Sequence, residues 1–411
     1  MSLLVKTLRA PYFQWITPAF IFMVSTMLVN AGNYGYNLVL GRVLSPAQFS
    51  EAGLIITLFL ATSFLAMTFQ IVATKYTIDL SCDLEETFRT WIAKLSLIVG
   101  GVLALLLLLF YSTISEFFNL SDSKSLIVLA LMLPLFFLMS VKRGFLQGKE
   151  HFLSLSTSYQ VEMWGRLMIT LILYYFFSFS IDFLISIAVM ESVVLGYMVI
   201  KEPVKIKWNV LFPEWKRVIQ FTLLTAGYEG AQILINYADI LLVKHYFDPT
   251  SAGLYTSMAL IGRMIYFMTW MVVMILIPRV LKLRNEGGDY RGALVRYFML
   301  IASFSGVLNF FAFLFAEEIV ETLFGSSYLP VASLLWQYGL ATMLFSLANL
   351  LIYYFLSLDH KFPVFVAMIF GLFQVLMLTT FNDSLGQIIL VQIVNMGAFL
   401  AFAIGYYLFS R

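Results

Sequence analysis

The sequence predicts an all-α membrane protein of about twelve transmembrane helices in two parallel-duplicated six-helix lobes. Three observations carry that expectation. The 411-residue chain is 61% hydrophobic and 12% charged, against about half apolar and a quarter charged in soluble domains, so the excess needs lipid as its solvent. Its apolar runs repeatedly reach the roughly 20 residues that a helical span requires. A segment beginning Asn-Tyr is written twice, as NYGYNLVLGRVLSPAQFSEAGLI (33–55) and NYADILLVKHYFDPTSAGLY (236–255).

Taken in order, the first span is expected at 15–40. It follows a charged start with Lys6 and Arg9 and reads as a retained helix rather than a cleaved signal peptide. The second, 49–74, begins after Pro46, and the third, 91–113, after Phe88-Arg89. The fourth, 125–146, runs into FLQGKEHF; the fifth, 153–178, holds Glu162 and Arg166; the sixth, 182–201, holds Glu191. The stretch EPVKIKWNVLFPEWKR (202–217) is broken by Pro203 and Pro213 and mixes basic with aromatic residues. It reads as a cytoplasmic linker at the lipid headgroups. Six more spans follow at 217–246, 251–279, 292–316, 330–356, 362–381 and 385–409. The domains are therefore an N-terminal lobe (1–201), a linker (202–216) and a C-terminal lobe (217–411).

Charge supports this count. With both termini cytoplasmic, of the 25 Lys and Arg only Arg42, Lys124 and Lys244 fall on the outer side, with Arg166 and Arg263 inside spans. That is the asymmetry of the positive-inside rule. The single cysteine, Cys82, excludes an internal disulfide, and no spacing suggests a zinc site. No phosphate-cradling glycine loop, nucleophile elbow or metalloprotease helix is written. No catalytic residue, cofactor, metal or nucleic-acid partner is expected, and the short loops leave no room for an ATPase domain.

The repeat extends beyond its Asn-Tyr start. Ser45-Pro46 answers Asp248-Pro249, Ala52-Gly53-Leu54 answers Ala252-Gly253-Leu254, and FLQGKEHF (145–152) answers FLSLDHKF (355–362). An even number of spans separates the copies, so both face the same way across the membrane. A parallel duplication is the plan expected of an alternating-access transporter with a cavity between its lobes.

Charged residues inside lipid cost about 2.5–3.5 kcal/mol or more, so they should face protein or water. The seventh span carries Glu229, Gln232, Asn236 and Asp239 at helical spacing, with Tyr237 beside them; the first carries Asn30, Asn33 and Asn37 with Tyr34 and Tyr36. Amides and tyrosines suit sugar hydroxyls, and equally suit helix–helix hydrogen bonding. Glu162 and Arg166 are spaced i, i+4 and read either as a self-neutralised pair or as a source of a free guanidinium. Arg263 has no local acid. It either meets Glu229 or Asp239, or offers its fork to a phosphate. Arg42 and Lys244 snorkel to headgroups or form an outer phosphate contact. Glu229 and Asp239 are the candidates for coupling to H+ or Na+. Glu191 is either a helix-contact residue or a protonatable site.

With those residues in view, the chain resembles the polysaccharide-transporter branch of the multidrug/oligosaccharidyl-lipid/polysaccharide flippase superfamily. NLVLGRVLSPAQFSEAGL (37–54), RGFLQGKEHF (143–152) and the duplicated twelve-span plan carry the resemblance. It implies two lobes around a central cavity lined by the first and seventh helices. It further implies export of a prenyl-diphosphate-linked oligosaccharide across a bacterial cytoplasmic membrane, with cationic cavity residues on the diphosphate and an ion gradient as drive. The expected partners are the lipid-linked glycan, membrane lipids, a coupling ion, and a polysaccharide polymerase or glycosyltransferases. The alternative is a cation-coupled drug or metabolite exporter of the same superfamily, and a third reading is a non-transporting scaffold in polymer assembly.

Overall fold

The computed structural model describes residues 18–204, 206–207, 211–286, 288–358, 360 and 362–409. Among them every regular element is helical. Twelve long helices coincide with the twelve expected spans: α1 (Pro18–Val43), α2 (Pro46–Asp79), α3 (Cys82–Phe117), α4 (Lys124–Gly148), α5 (Phe152–Phe176), α6 (Ile181–Met198), α7 (Trp215–Tyr246), α8 (Pro249–Asn285), α9 (Tyr290–Leu314), α11 (Leu335–Ser357), α12 (Phe362–Thr380) and α13 (Leu385–Phe409). Between α9 and α11 the sequence reading missed α10 (Ala316–Leu323) and a 3-10 segment, Ser326–Leu334. Both are too short to register as an apolar run.

Among the described residues, eight helices are long and apolar enough to cross a membrane on composition alone. The chain is a multi-pass membrane protein. Neither α5 nor α7 is among the eight, because each writes polar side chains into its apolar run. Those interruptions mark where the candidate site lies.

The recurring Xaa-Pro turns have a local cause. Ser45 and Gln48 cap α2 reciprocally: the Ser45 N–H donates to Gln48 Oε1 at 3.1 Å and the Gln48 N–H to Ser45 Oγ at 3.4 Å. Pro46 takes the first helical position, where no N–H is needed. In the second copy Asp248 Oδ1 accepts from the N–H groups of Thr250 (2.9 Å) and Ser251 (3.0 Å) ahead of α8. Those bonds to Ser251 hold its carboxyl below the usual carboxylate range.

Residue packing divides the chain into two compact units, Met1–Val39 with Leu58–Ala226, and Leu40–Thr57 with Gly227–Arg411. The second unit therefore includes the turn between α1 and α2. In it Phe49 meets the rings of Phe324 (5.6 Å) and Tyr328 (6.0 Å). The repeated Ala-Gly-Leu is explained there as well. A Cβ on Gly253 would stand 1.7 Å from the Pro46 carbonyl oxygen, and one on Gly53 would stand 2.6 Å from Thr256 Cγ2. Backbone meets backbone at Gly253, so only glycine fits.

Within the first unit, the stretch after α6 packs in part against α3. Phe212 is fully buried against Phe88 and Trp91 of α3. Glu202 is gripped by Arg89 and by Lys149 at 3.1 Å. Burial alone would raise the Glu202 carboxyl, and these two hydrogen-bonded cations outweigh it and hold it low. Leu211 and Trp215 are exposed; Lys205 and residues 208–210 lie outside the described residues.

Candidate functional site

In the first unit the polar face of α1 rests on α5. Gln160 donates to the Ser25 carbonyl and hydroxyl, both at 3.0 Å, and a Cβ on Gly32 would collide with Met163. That docking brings Arg166 to Asn33, whose Oδ1 accepts from the guanidinium. The guanidinium carbon lies 5.3 Å from the ring centres of both Tyr36 and Phe59. Tyr36 is fixed by a 3.0 Å hydrogen bond between its hydroxyl and Thr170. Arg166 is 7% exposed, and its Nε is buried without a hydrogen-bond partner. The Tyr34 hydroxyl is likewise buried and unpartnered. Asn37 donates to the Asn33 carbonyl at 2.8 Å, while Asn30 is exposed.

The i, i+4 pair expected of Glu162 and Arg166 is not made. Glu162 Oε2 lies 2.7 Å from a terminal guanidinium nitrogen of Arg143, without hydrogen-bond alignment. Arg143, near the end of α4, is only 3% exposed. Its Nε and a terminal nitrogen donate to Ser158 at 3.0 and 2.8 Å, and its guanidinium covers the Tyr159 ring at 4.0 Å. A neighbour on another helix outbids a neighbour on the same one because helix packing lets the fork meet both the carboxylate and a hydroxyl. Glu191 is exposed on α6.

The second unit is wired differently. Asp239 on α7 is fully buried and its carboxylate accepts three hydrogen bonds. Arg263 of α8 donates to Oδ1 at 2.8 Å; Tyr338 and Tyr255 donate to Oδ2 at 2.8 and 3.0 Å. Arg263 Nε also donates to the Tyr338 hydroxyl at 3.1 Å, and Gln392 to the Tyr255 hydroxyl at 2.6 Å. The Arg263 guanidinium lies 4.8 Å from the Tyr237 ring centre. Of the two fates left open for Arg263, the structure takes the ion pair, with Asp239 and not Glu229.

Two turns back along α7, Gln232 donates to Asn349 (3.0 Å) and to the Tyr228 hydroxyl (3.1 Å), and Asn236 between them donates to the Gln232 carbonyl at 2.9 Å. A cavity of about 20 Å³ opens here, lined by Asn236, Arg263, Tyr338, Thr342 and Gln392 among others. That volume holds about one water with polar partners on several sides. Glu229 is 7% exposed and forms no hydrogen bond or ion pair among the described residues.

The two outer cations are engaged locally. Arg42 donates to the carbonyls of Leu323 (3.1 Å), Glu321 (3.0 Å) and Thr322, closing the C-terminus of α10, where a positive charge also meets the helix dipole. Lys244 is buried and donates to Ser50 at 3.1 Å, so it does not snorkel.

Sequence reasoning missed Arg143, Tyr255, Tyr338, Asn349 and Gln392 as site-building residues. The RGFLQGKEHF stretch was the available signal for Arg143. The others lie in apolar helices with no spacing that announces a shared centre.

Comparison with known proteins follows from this geometry. A family model described as "Polysaccharide biosynthesis protein" matches residues 39–333. No curated protein has significant sequence similarity to the chain. Among solved structures, an inward-facing multidrug resistance MATE family transporter of the MOP superfamily superposes with TM-score 0.76 at 12% identity, covering 92% of this chain and 94% of that one. Lipid II flippase MurJ in an inward closed conformation gives TM-score 0.75 at 14% identity over 95% and 87%. The eukaryotic MATE transporter AtDTX14 gives 0.65 at 13% identity over 92% and 91%. These likenesses establish the fold of a MOP-superfamily transporter. Because the family model spans most of the chain, the protein belongs to the polysaccharide biosynthesis protein family.

Proposed function

We propose that this chain is a flippase that carries a lipid-linked oligosaccharide from the inner to the outer leaflet of a bacterial cytoplasmic membrane by alternating access, with both termini cytoplasmic. One observation carries the reading: Arg166 is a buried guanidinium surrounded by an amide and two aromatic rings instead of a carboxylate. Burying an ion costs several kcal/mol unless a counter-charge arrives. A prenyl diphosphate supplies that counter-charge, and the planar fork fits it in parallel. The family description and the flippase fold support a glycan as the cargo behind the phosphate.

In this proposal Asn30, Asn33, Tyr34 and Asn37 offer the glycan donors and acceptors from one lobe, and Gln232, Asn236 and Tyr237 from the other. The lobes comprise 1–201 and 217–411, joined by 202–216. Arg263 becomes a second phosphate contact only when Asp239 releases it. Glu229, without a counter-ion, is the site for H+ or Na+. The product passes to a polysaccharide polymerase or glycosyltransferases. Arg42 and Lys244, engaged at the turns, take no part.

Glu229 also favours the second reading, a cation-coupled exporter, because an unpaired buried acid suits an organic cation. Translocation of a fluorescent prenyl-diphosphate-linked glycan by the purified protein in vesicles separates the two. The flippase reading expects glycan movement that Arg166→Gln abolishes. Glycan left in place while a cationic dye is exported would establish the exporter instead.

A further inference from the structure

Away from both arginine centres, α9 presents a feature that transport does not use. This helix runs as a candidate span from Arg291 to Leu314 and leaves Val295, Met299, Leu300, Phe304 and Val307 exposed along one side. At its start a groove of about 290 Å³ is lined by Ala293, Arg296, Tyr297 and Leu300. Ala293 is buried and forms the floor, while Tyr297 is packed against the core of the second unit. Arg296 is exposed and makes no hydrogen bond or ion pair among the described residues, and the Tyr297 hydroxyl makes no hydrogen bond there either. The neighbouring acid, Asp289, is occupied in capping α9 through the Gly292 N–H at 2.7 Å. From Leu300 an apolar stripe continues through Phe304 and Val307, each about half exposed.

An exposed cation with an adjacent hydroxyl, one turn from an apolar stripe, matches the layout of a phospholipid: headgroup first, acyl chain after it. We propose that this groove binds one anionic phospholipid, with its phosphodiester on Arg296 and the Tyr297 hydroxyl and one acyl chain along Leu300, Phe304 and Val307. A snorkelling arginine would meet whichever headgroup drifted by. A groove with a packed tyrosine on one wall holds a single lipid in register and selects for its charge.

The test is native mass spectrometry of the full chain released from nanodiscs of phosphatidylglycerol or phosphatidylcholine. Wild type is expected to retain one phosphatidylglycerol and to lose phosphatidylcholine. Arg296→Gln should lower retention about fivefold, the contribution of one basic side chain at an anionic surface. Leu300→Trp, which fills the groove and leaves the cation in place, should lower it as well, so the proposal does not rest on one variant's folding. Inorganic phosphate in excess should not displace the lipid, because the acyl chain contributes to binding. Equal retention of both lipids, wild-type retention in either variant, or displacement by inorganic phosphate would each overturn the assignment.

Discussion

Arg166 in the first unit and Arg263 in the second are both buried, and both lie against the helix that opens its polar stretch with Asn-Tyr. Both stack on a tyrosine of that helix. The repeat register that matches Asn33 with Asn236 matches Tyr36 with Asp239. At that one position the first copy gives its arginine an aromatic face and the second gives its arginine a carboxylate. The repeated scaffold thus leaves one arginine without a carboxylate and closes the other with an internal one. The arginines themselves come from non-equivalent helices, α5 and α8, so the scaffold repeats while the wiring does not.

The comparison breaks most readily at the closed centre. Asp239→Ala leaves Arg263 buried without its counter-charge and should cost about 3–5 kcal/mol of stability, read as a fall in melting temperature in detergent. The double variant Asp239→Leu with Arg263→Met should recover most of that loss, since two apolar side chains replace a buried ion pair with little penalty. Arg166→Met removes one hydrogen bond from a centre without a carboxylate and should cost about 1 kcal/mol or less. If Asp239→Ala proves as mild as Arg166→Met, the two centres are not different in kind.

The glycines of the two Ala-Gly-Leu copies sharpen the contrast at smaller scale. Gly253→Ala forces a methyl group into the Pro46 carbonyl and should destabilise by about 1–3 kcal/mol. Gly53→Ala meets only the Thr256 methyl group and should cost less than that. Equal melting points for the two variants would contradict the backbone contact.

The smallest effect separates the two helix caps. Ser45→Ala should cost about 1 kcal/mol at every pH. Asp248 has a folded-state value below its unfolded one, so its contribution is complete above the unfolded value of about 4 and is lost as pH falls through the folded value. The side chain is exposed, so screening keeps this below about 1 kcal/mol. Asp248→Asn should flatten the acid limb of a melting-temperature profile, and a limb unchanged by that variant would exclude the assignment.

Much of this was legible in the sequence because lipid imposes one strong rule: a span is a long apolar run, and Lys and Arg mark its cytoplasmic end. All twelve long helices and the Asn-Tyr repeat followed from that rule. The short α10 and its 3-10 partner escaped it, since an eight-residue amphipathic turn carries no span signal. The site was legible in its residues and less so in its pairings. Asn33, Arg166, Asp239 and Arg263 stood out as polar groups in apolar helices. That Arg143 would take Glu162, or that Tyr255, Tyr338 and Gln392 would converge on Asp239, depends on packing between helices distant in sequence. Spacing along one helix offered Glu162 the wrong arginine, because i, i+4 proximity is worth only tenths of a kcal/mol and is overridden where packing between helices brings a buried guanidinium to the carboxylate.

The open character of Arg166 is tested most directly by binding of a short-chain prenyl diphosphate to purified wild type, Arg166→Gln, Arg166→Lys and the Asp239→Leu/Arg263→Met double variant. A charge-assisted contact of about 1.5–3 kcal/mol predicts that Arg166→Gln weakens binding by roughly ten- to a hundredfold, that Arg166→Lys falls between, and that the double variant binds as wild type does. Unchanged affinity in Arg166→Gln, or loss confined to the double variant, would contradict the account.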